Sequence, residues 1–311
     1  MDRRRFISET SGYIAGGVFL GSLPLKLLAQ PAYPDLAAVK SNDYFKATQK
    51  AIQELGGIKR FVPSGSSVGL LVNSDFTEKG TYTHPDIVLA TMFLSWEAGA
   101  RELVFLQPVK DEYWRRSSNF TDYRFLIDSS KSVKSNVFPA EYNLEDFIIL
   151  ENIDRAMHLR NVEIVRKIRE VDVFINFPII KHHASTIVTG ALKNMMGLTT
   201  RKTNVTFHLG SGKRNDPEYL AECIADLNLV RKPDLILADA TSFITANGPE
   251  GPGPLKNPDL VVAGTDPVAI DALGATYLDF QPADILSVQK AYDAGIGEMD
   301  LSKLIISETT T

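Results

Sequence analysis

The sequence predicts an α/β protein built on a largely parallel, doubly wound sheet with helices on both faces. Short, continuously apolar runs recur along it, VGLLVN, ELVFL, VDVFINFP and DLILAD among them. Strands buried on both faces read this way. Between the runs, apolar residues return at three- and four-residue spacing, as in helices that cover a sheet. Gly and Pro punctuate the boundaries, as β-α-β units require.

Residues 1–30 stand apart from this pattern. Arg3 and Arg4, the spacer Arg5, then Phe6 and Ile7 match a twin-arginine export signal, and a weakly apolar, Gly-rich stretch follows from Tyr13 to Leu25. Lys26 interrupts that stretch, which is too short and too Gly-rich for a membrane span. Ala29 and Ala32 both stand as cleavage points. The expected partner is the twin-arginine translocase and the expected location is periplasmic or otherwise exported, with no membrane attachment after processing; an uncleaved signal anchor is the alternative. The route carries proteins already folded, many with a cofactor loaded.

Residues 31–60 read as an N-terminal extension with one helix, Asp43–Leu55, closed by Gly56-Gly57, and residues 61–311 as the α/β domain. The domain opens with a strand at Val68–Asn73, a helix at His84–Ala98 stopped by Gly99, and a strand at Glu102–Leu106. Residues 109–145 lack a clear period and read as a surface excursion. Phe147–Leu150 is a short strand, Val162–Glu170 a helix and Val171–Pro178 a buried strand. Thr186–Met196 reads as a helix, 199–216 as a polar, basic loop and Pro217–Val230 as a helix. Strands follow at Asp234–Asp239 and Leu260–Ala263, separated by the Gly/Pro-rich NGPEGPGP. Asp266 and Pro267 have the residue types of an N-cap and first helical position. One more helix and a strand at Leu304–Ile306 complete the chain.

Formal charge is −5; without residues 1–30 it becomes −7, with 29 basic against 36 acidic residues. Nonspecific nucleic-acid binding needs a basic face to replace counterions, so nucleic acid is not expected as a partner. The single cysteine, Cys223, lies in a helical apolar pattern and reads as core. One cysteine rules out an intrachain disulfide and a cysteine-ligated iron–sulfur cluster. Gly-rich phosphate loops and the G-x-S-x-G elbow are absent.

In such folds ligands sit beyond the carboxyl ends of the strands, which selects the loops after Asn73, Pro178, Asp239 and Ala263. Lys181, His182 and His183 follow one of these strands directly, with Thr189, Lys193-Asn194 and His208 further on. Lys, His, Thr and Asn converging on a strand end suit an anion, a metal ligated through His, or proton transfer. A Lys held away from water needs a carboxylate or a ligand. Asp239, Asp266 and Asp271 are the natural counter-charges, and with His they offer oxygen and nitrogen donors to a divalent metal. Arg201, Lys202 and Arg214 read individually as solvated loop charges.

Four stretches resemble the domain of unknown function 362 family: VGLLVN with THPDIVLA and EAGARELVF; INFPIIKHHASTIVTGALKNMMG; DLILADA with NGPEGPG; and VVAGTDPVAIDALGA. The resemblance spans about residues 65–280. It implies site positions at Lys181, His183, Thr189, Lys193, Asn194, Gly197 and His208, with acidic positions at Asp239, Asp266 and Asp271. Members carrying a Cys-rich insert resemble iron–sulfur proteins, and this chain lacks those cysteines. Of the family's Lys-Pro-Asn after the first strand only Asn73 remains.

The leading expectation is an enzyme acting on a small anionic ligand, with or without a divalent metal. Lys181, His183, Lys193 and His208 would bind the anion or move protons; Asn73, Thr189, Asn194, Gly197 and Asn247 would contact the ligand. The rival is an exported binding or accessory protein that holds a ligand or cofactor without chemistry. The export expectation has a direct check. Replacing Arg3→Lys and Arg4→Lys together should leave the full-length precursor in the cytoplasmic fraction of the native host, whereas wild type fractionates outside it.

Overall fold

The computed structural model describes residues 33–134 and 144–311; the twin-arginine signal expected at residues 1–30 lies outside them. In chain order the strands are β1 (Leu36–Lys40), β2 (Ser67–Val72), β3 (Glu102–Phe105), β4 (Lys131–Ser132), β5 (Phe147–Leu150), β6 (Val162–Val165), β7 (Val173–Phe177), β8 (Lys181–His183), β9 (Ile187–Thr189), β10 (Leu235–Ala240), β11 (Phe243–Ile244), β12 (Leu255–Lys256), β13 (Leu260–Gly264) and β14 (Ile306–Thr310). The helices are α1 (Tyr44–Glu54), α2 (Pro85–Glu97), α3 (Asp111–Trp114), α4 (Phe120–Ser129), α5 (Ala191–Asn194), α6 (Arg201–Leu209), α7 (Pro217–Asn228), α8 (Pro267–Tyr277) and α9 (Leu286–Asp293).

Eight strands form the central sheet in the order β14-β1-β13-β10-β7-β2-β3-β4. Seven run the same way; β13 alone is reversed and pairs antiparallel with β1 and β10. The α/β expectation holds, and the sheet is mixed at one strand. Alternate residues serve two cores, because side chains on a strand point to opposite faces. Leu36 and Ala38 of β1 join Phe174, Ile236 and Val262 on the face covered by α5, α7, α8 and α9. Ala37 and Val39 join Leu70, Ile175 and Leu237 on the other, under α1, α2 and the buried Tyr113 and Trp114.

Several local expectations are corrected. Residues 33–60 do not extend from the domain but supply β1 to its sheet, between β13 and β14. Val162–Glu170 is not a helix: VEIV alternates with period two, forms β6 against β5 and ends in a 3-10 turn. Thr186–Met196 is not one helix either. The β-branched Ile187, Val188 and Thr189 form β9, entered through Ile187 at φ 65°, and only Ala191–Asn194 is α-helical. β-Branched side chains favour strand because a helix crowds their χ1. The loop expected at 199–216 contains α6, capped by Thr200 and anchored by buried Thr203 and Phe207 at four-residue spacing. The excursion expected at 109–145 includes α3, α4 and β4, and it carries Tyr113 and Trp114 into the core.

The reversal of β13 matters most for the site. After β10 the chain turns through the β11–β12 hairpin and re-enters the sheet from the same edge, so β13 must run back. The end of β13 therefore opens at the opposite edge from the ends of β2, β3, β7 and β10. Asp266 lies there, capping α8: one oxygen accepts from Val268 and Ala269 N–H at 2.8 and 3.1 Å, the other from Glu298 N–H at 2.9 Å.

Asp271, one turn into α8, is buried, and its oxygens accept the Ala191 and Leu192 backbone N–H groups that open α5, at 2.5 and 3.0 Å. Gly190 is required beside it, since a Cβ there would run into the Asp271 carboxylate. Burial pushes the Asp271 carboxyl up to about 7 against the pull of those two N–H groups. Asp271→Ala leaves both amides unpaired, and urea unfolding at pH 5 should show a loss of about 2–4 kcal/mol. The native carboxyl binds its proton more tightly than the unfolded one, so its contribution declines from pH 4 to pH 7. The loss should accordingly be smaller at pH 8 than at pH 5.

Candidate functional site

A cleft of about 1200 Å³ opens where β2, β3 and β7 end, walled by the β8–β9 hairpin, α5, α6 and the Gly/Pro loop before β12. Asn73, Lys181, His183, Thr189, Lys193, Asn194, Gly197 and His208 all line it. Asn247 does not; its loop neighbours Pro249 and Glu250 do, while its own amide donates to the Pro252 carbonyl at 3.2 Å.

Strand geometry sorts the Lys-His-His run. Side chains alternate along β8, so Lys181 and His183 face the cleft together. His182 points away, and its Nδ1 accepts from Gly248 N–H at 3.1 Å. Gly248 approaches the His182 carbonyl so closely that a Cβ would collide with it. His182 therefore anchors the Gly/Pro loop.

Lys181 is fully buried. Its ammonium donates to the Thr81 carbonyl at 2.6 Å and the Pro249 carbonyl at 2.9 Å, and it lies 4.1 Å from the centre of the Phe76 ring. It thus ties the loop after β2 to the Gly/Pro loop. Burial, with Lys193 nearby, lowers its pKa to about 7, opposed by Glu250.

Lys193 is different. Burial alone lowers its pKa to about 8, and among the described residues no hydrogen bond or ion pair reaches its ammonium. Its charge is felt by Lys181, His183 and His208, so these four groups share one electrostatic site. Arg201 and Arg214 add exposed cations at the cleft mouth, against Asp75 and Glu250.

The two histidines hold complementary tautomers. His183 Nδ1 accepts from Ser185 N–H at 3.1 Å, so the neutral ring carries its proton on Nε2. Burial and the surrounding cations push its pKa down to about 2. His208 Nδ1 lies 2.8 Å from the Asn215 side-chain oxygen, an acceptor, which leaves the lone pair on Nε2. Burial lowers the His208 pKa too, partly offset by that hydrogen bond. The cleft thus offers one fixed imidazole donor and one imidazole acceptor.

Amides fix the floor. Asn73 donates to Asn194 at 3.2 Å, Asn194 to Asn176 at 2.7 Å, and Asn176 to the Ala191 carbonyl at 3.0 Å. The Thr189 hydroxyl is buried in the lining without a hydrogen-bond partner among the described residues. A buried hydroxyl without a partner is costly, and a ligand or water would satisfy it.

The expected acidic side of the site is not in the cleft. Asp239 accepts His84 N–H at 2.6 Å and Thr241 N–H at 2.7 Å, and Asp271 and Asp266 hold the helix starts described above. Each carboxylate is committed to backbone amides. Among the described residues no group of three or more His, Cys, Asp or Glu side chains is placed to hold a metal ion. Sequence reasoning missed Asn176, Gln107 and Phe76, and it read Arg201 and Arg214 as solvent-facing only. Asn176 had a visible mark: a lone amide inside the apolar strand VFINF must find a partner. Gln107, which donates to the Val72 carbonyl, had none.

Fold and cleft together define a class: an α/β protein with a cationic, histidine-bearing cleft at the carboxyl edge of a mixed sheet. Within that class the chain belongs to the domain of unknown function family DUF362, whose model matches residues 70–276. The match includes every cleft residue named here. A thylakoid-associated protein of Synechocystis sp., sll1697, is 26% identical over 237 residues, covering 75% of this chain and 70% of that protein. Two solved structures show a partial likeness. The lactate racemase apoprotein of Thermoanaerobacterium thermosaccharolyticum has a TM-score of 0.46 at 12% identity, covering 74% of this chain and 54% of the other. A Thermotoga maritima protein has a TM-score of 0.41 at 11% identity, covering 82% and 60%.

Lys193 yields a stability test. Its native pKa lies below its unfolded value, so its charged form costs stability in full below about pH 8, and the cost fades as pH rises toward that of a free lysine. Lys193→Met should raise Tm at pH 6.5 by about 2 °C or more. Differential scanning calorimetry should show that gain shrinking by pH 10.

Proposed function

We propose that this protein is exported by the twin-arginine route and binds a small oxyanion, a carboxylate or a phosphate- or sulfate-like group, for acid–base chemistry in the cleft. The observation that carries the reading is Lys193: a part-buried ammonium in the cleft lining, with no hydrogen-bond or ion-pair partner among the described residues, inside a protein of net charge −5. Desolvated cations persist where a ligand supplies the missing charge, since isolated buried charge is strongly unfavourable. Arg201 and Arg214 would draw the anion in, and Lys193 and the Thr189 hydroxyl would hold it. His183 would donate a hydrogen bond through Nε2, and His208, poised neutral, would accept a proton at its own Nε2. Lys181 acts in this reading through the loops it ties together. The export part rests on Arg3, Arg4 and Phe6 alone. No helix of the described residues is long and apolar enough to cross a membrane.

Sulfate serves as the probe because its charge does not change between pH 6 and 9.5. Calorimetric titration should show affinity falling as pH rises, on the order of tenfold over that range, as Lys193 loses its proton near pH 8. Lys193→Met should remove most of the affinity and the part of the pH dependence centred near pH 8, leaving only the weaker change that Lys181 contributes near pH 7; His208→Gln should retain both. Equal affinity in wild type and Lys193→Met, or tighter binding at high pH, would overturn the reading.

A further inference from the structure

The wall formed by α6 says more about the ligand than its charge. Arg201, Asn204, Val205, His208 and Leu209 all line the cleft, at offsets of three, four, seven and eight residues along one helix face. The opposite face, Thr203 and Phe207, is buried in the domain. The cleft-facing stripe is therefore not uniformly polar. Arg201 stands at its start, and Val205 and Leu209 leave 44% and 52% of their surface exposed. Phe76 and Met196 add apolar side chains to the lining.

Size points the same way. Pockets for drug-sized ligands run to about 300–1000 Å³, and this cleft has about 1200 Å³. A bare sulfate, phosphate or acetate would leave Val205 and Leu209 wet and most of the volume unused. The eight-residue span from Arg201 to Leu209 is about 12 Å at the helical rise of 1.5 Å per residue, enough to lie along a fused two-ring body.

We infer that the ligand is an amphipathic organic anion, whose oxyanion head sits with Lys193 while its apolar body covers Val205 and Leu209 on α6. This rests on the oxyanion reading above and specifies the class of molecule. Specificity would divide accordingly: the lysine recognises charge, and the two aliphatic side chains recognise the body behind it.

The test compares heads with and without a body, by calorimetric titration of the full folded protein at pH 6.5. The probe pairs are sulfate with 1-naphthyl sulfate and acetate with 1-naphthylacetate, and neutral 1-naphthol serves as control. In at least one pair the aromatic member should bind at least ~10-fold more tightly, as burial of apolar surface requires. The double variant Val205→Gln, Leu209→Gln changes two exposed positions to good helix formers. It should lose most of that advantage while binding the bare anion within about twofold of wild type. Lys193→Met should weaken both members of the pair. Equal binding of both members, or an advantage that survives the double variant, overturns the amphipathic assignment and leaves the oxyanion reading standing. Naphthol binding as tightly as the naphthyl anions overturns the assignment as well. Failure of every anion to bind overturns both readings at once.

Discussion

Asp271 stands behind α5 and gives both carboxylate oxygens to the backbone, and the character of the cleft follows from that commitment. Four residues belonging to one short segment, Gly190 to Lys193, are placed by it. That carboxylate faces the backbone and makes no ion pair with Lys193. Asp239 is spent in the same way on His84 and Thr241, and Asp266 on the start of α8. A chain richer in acid than in base thus maintains a concentrated positive site. Asp75 and Glu250 are the acids in its lining, while Asp239, Asp266 and Asp271 hold main chain in place.

The remaining polar groups fall into two kinds. Lys181, His182 and Gln107 satisfy backbone carbonyls and amides around the rim, so they shape the loops that bound the cleft. The Asn73, Asn194 and Asn176 amides pass hydrogen bonds from the floor into the sheet. Lys193 and Thr189 belong to neither kind, since nothing in the described protein answers them. A folded domain tolerates such groups where function requires them, because unsatisfied polar and charged atoms lower stability wherever they occur.

Much of the site was legible before any coordinate. Lys181, His183, Lys193 and His208 were all marked, and all four line the cleft. Their residue types stood out against small and apolar neighbours. Asp239 and Asp271 were misplaced because their backbone partners lie far off in sequence, and Asp266 because proximity in the fold was inferred from strand order. One reversed strand, β13, sends the loop carrying Asp266 to the far edge. Likewise Thr186–Met196 looked helical by spacing, but three β-branched residues in succession made a hairpin edge there.

By itself the sequence determined the α/β class, because buried strands must be apolar on both faces and helices on one, and that pattern is written locally. It also determined which side chains could carry chemistry, since residue type sets charge and donor capacity. Only the tertiary structure decided which of them meet, which face of β8 turns inward, and which carboxylates are already taken. Those outcomes depend on strand direction and on competition for backbone amides between segments far apart in the chain, and no local pattern encodes either.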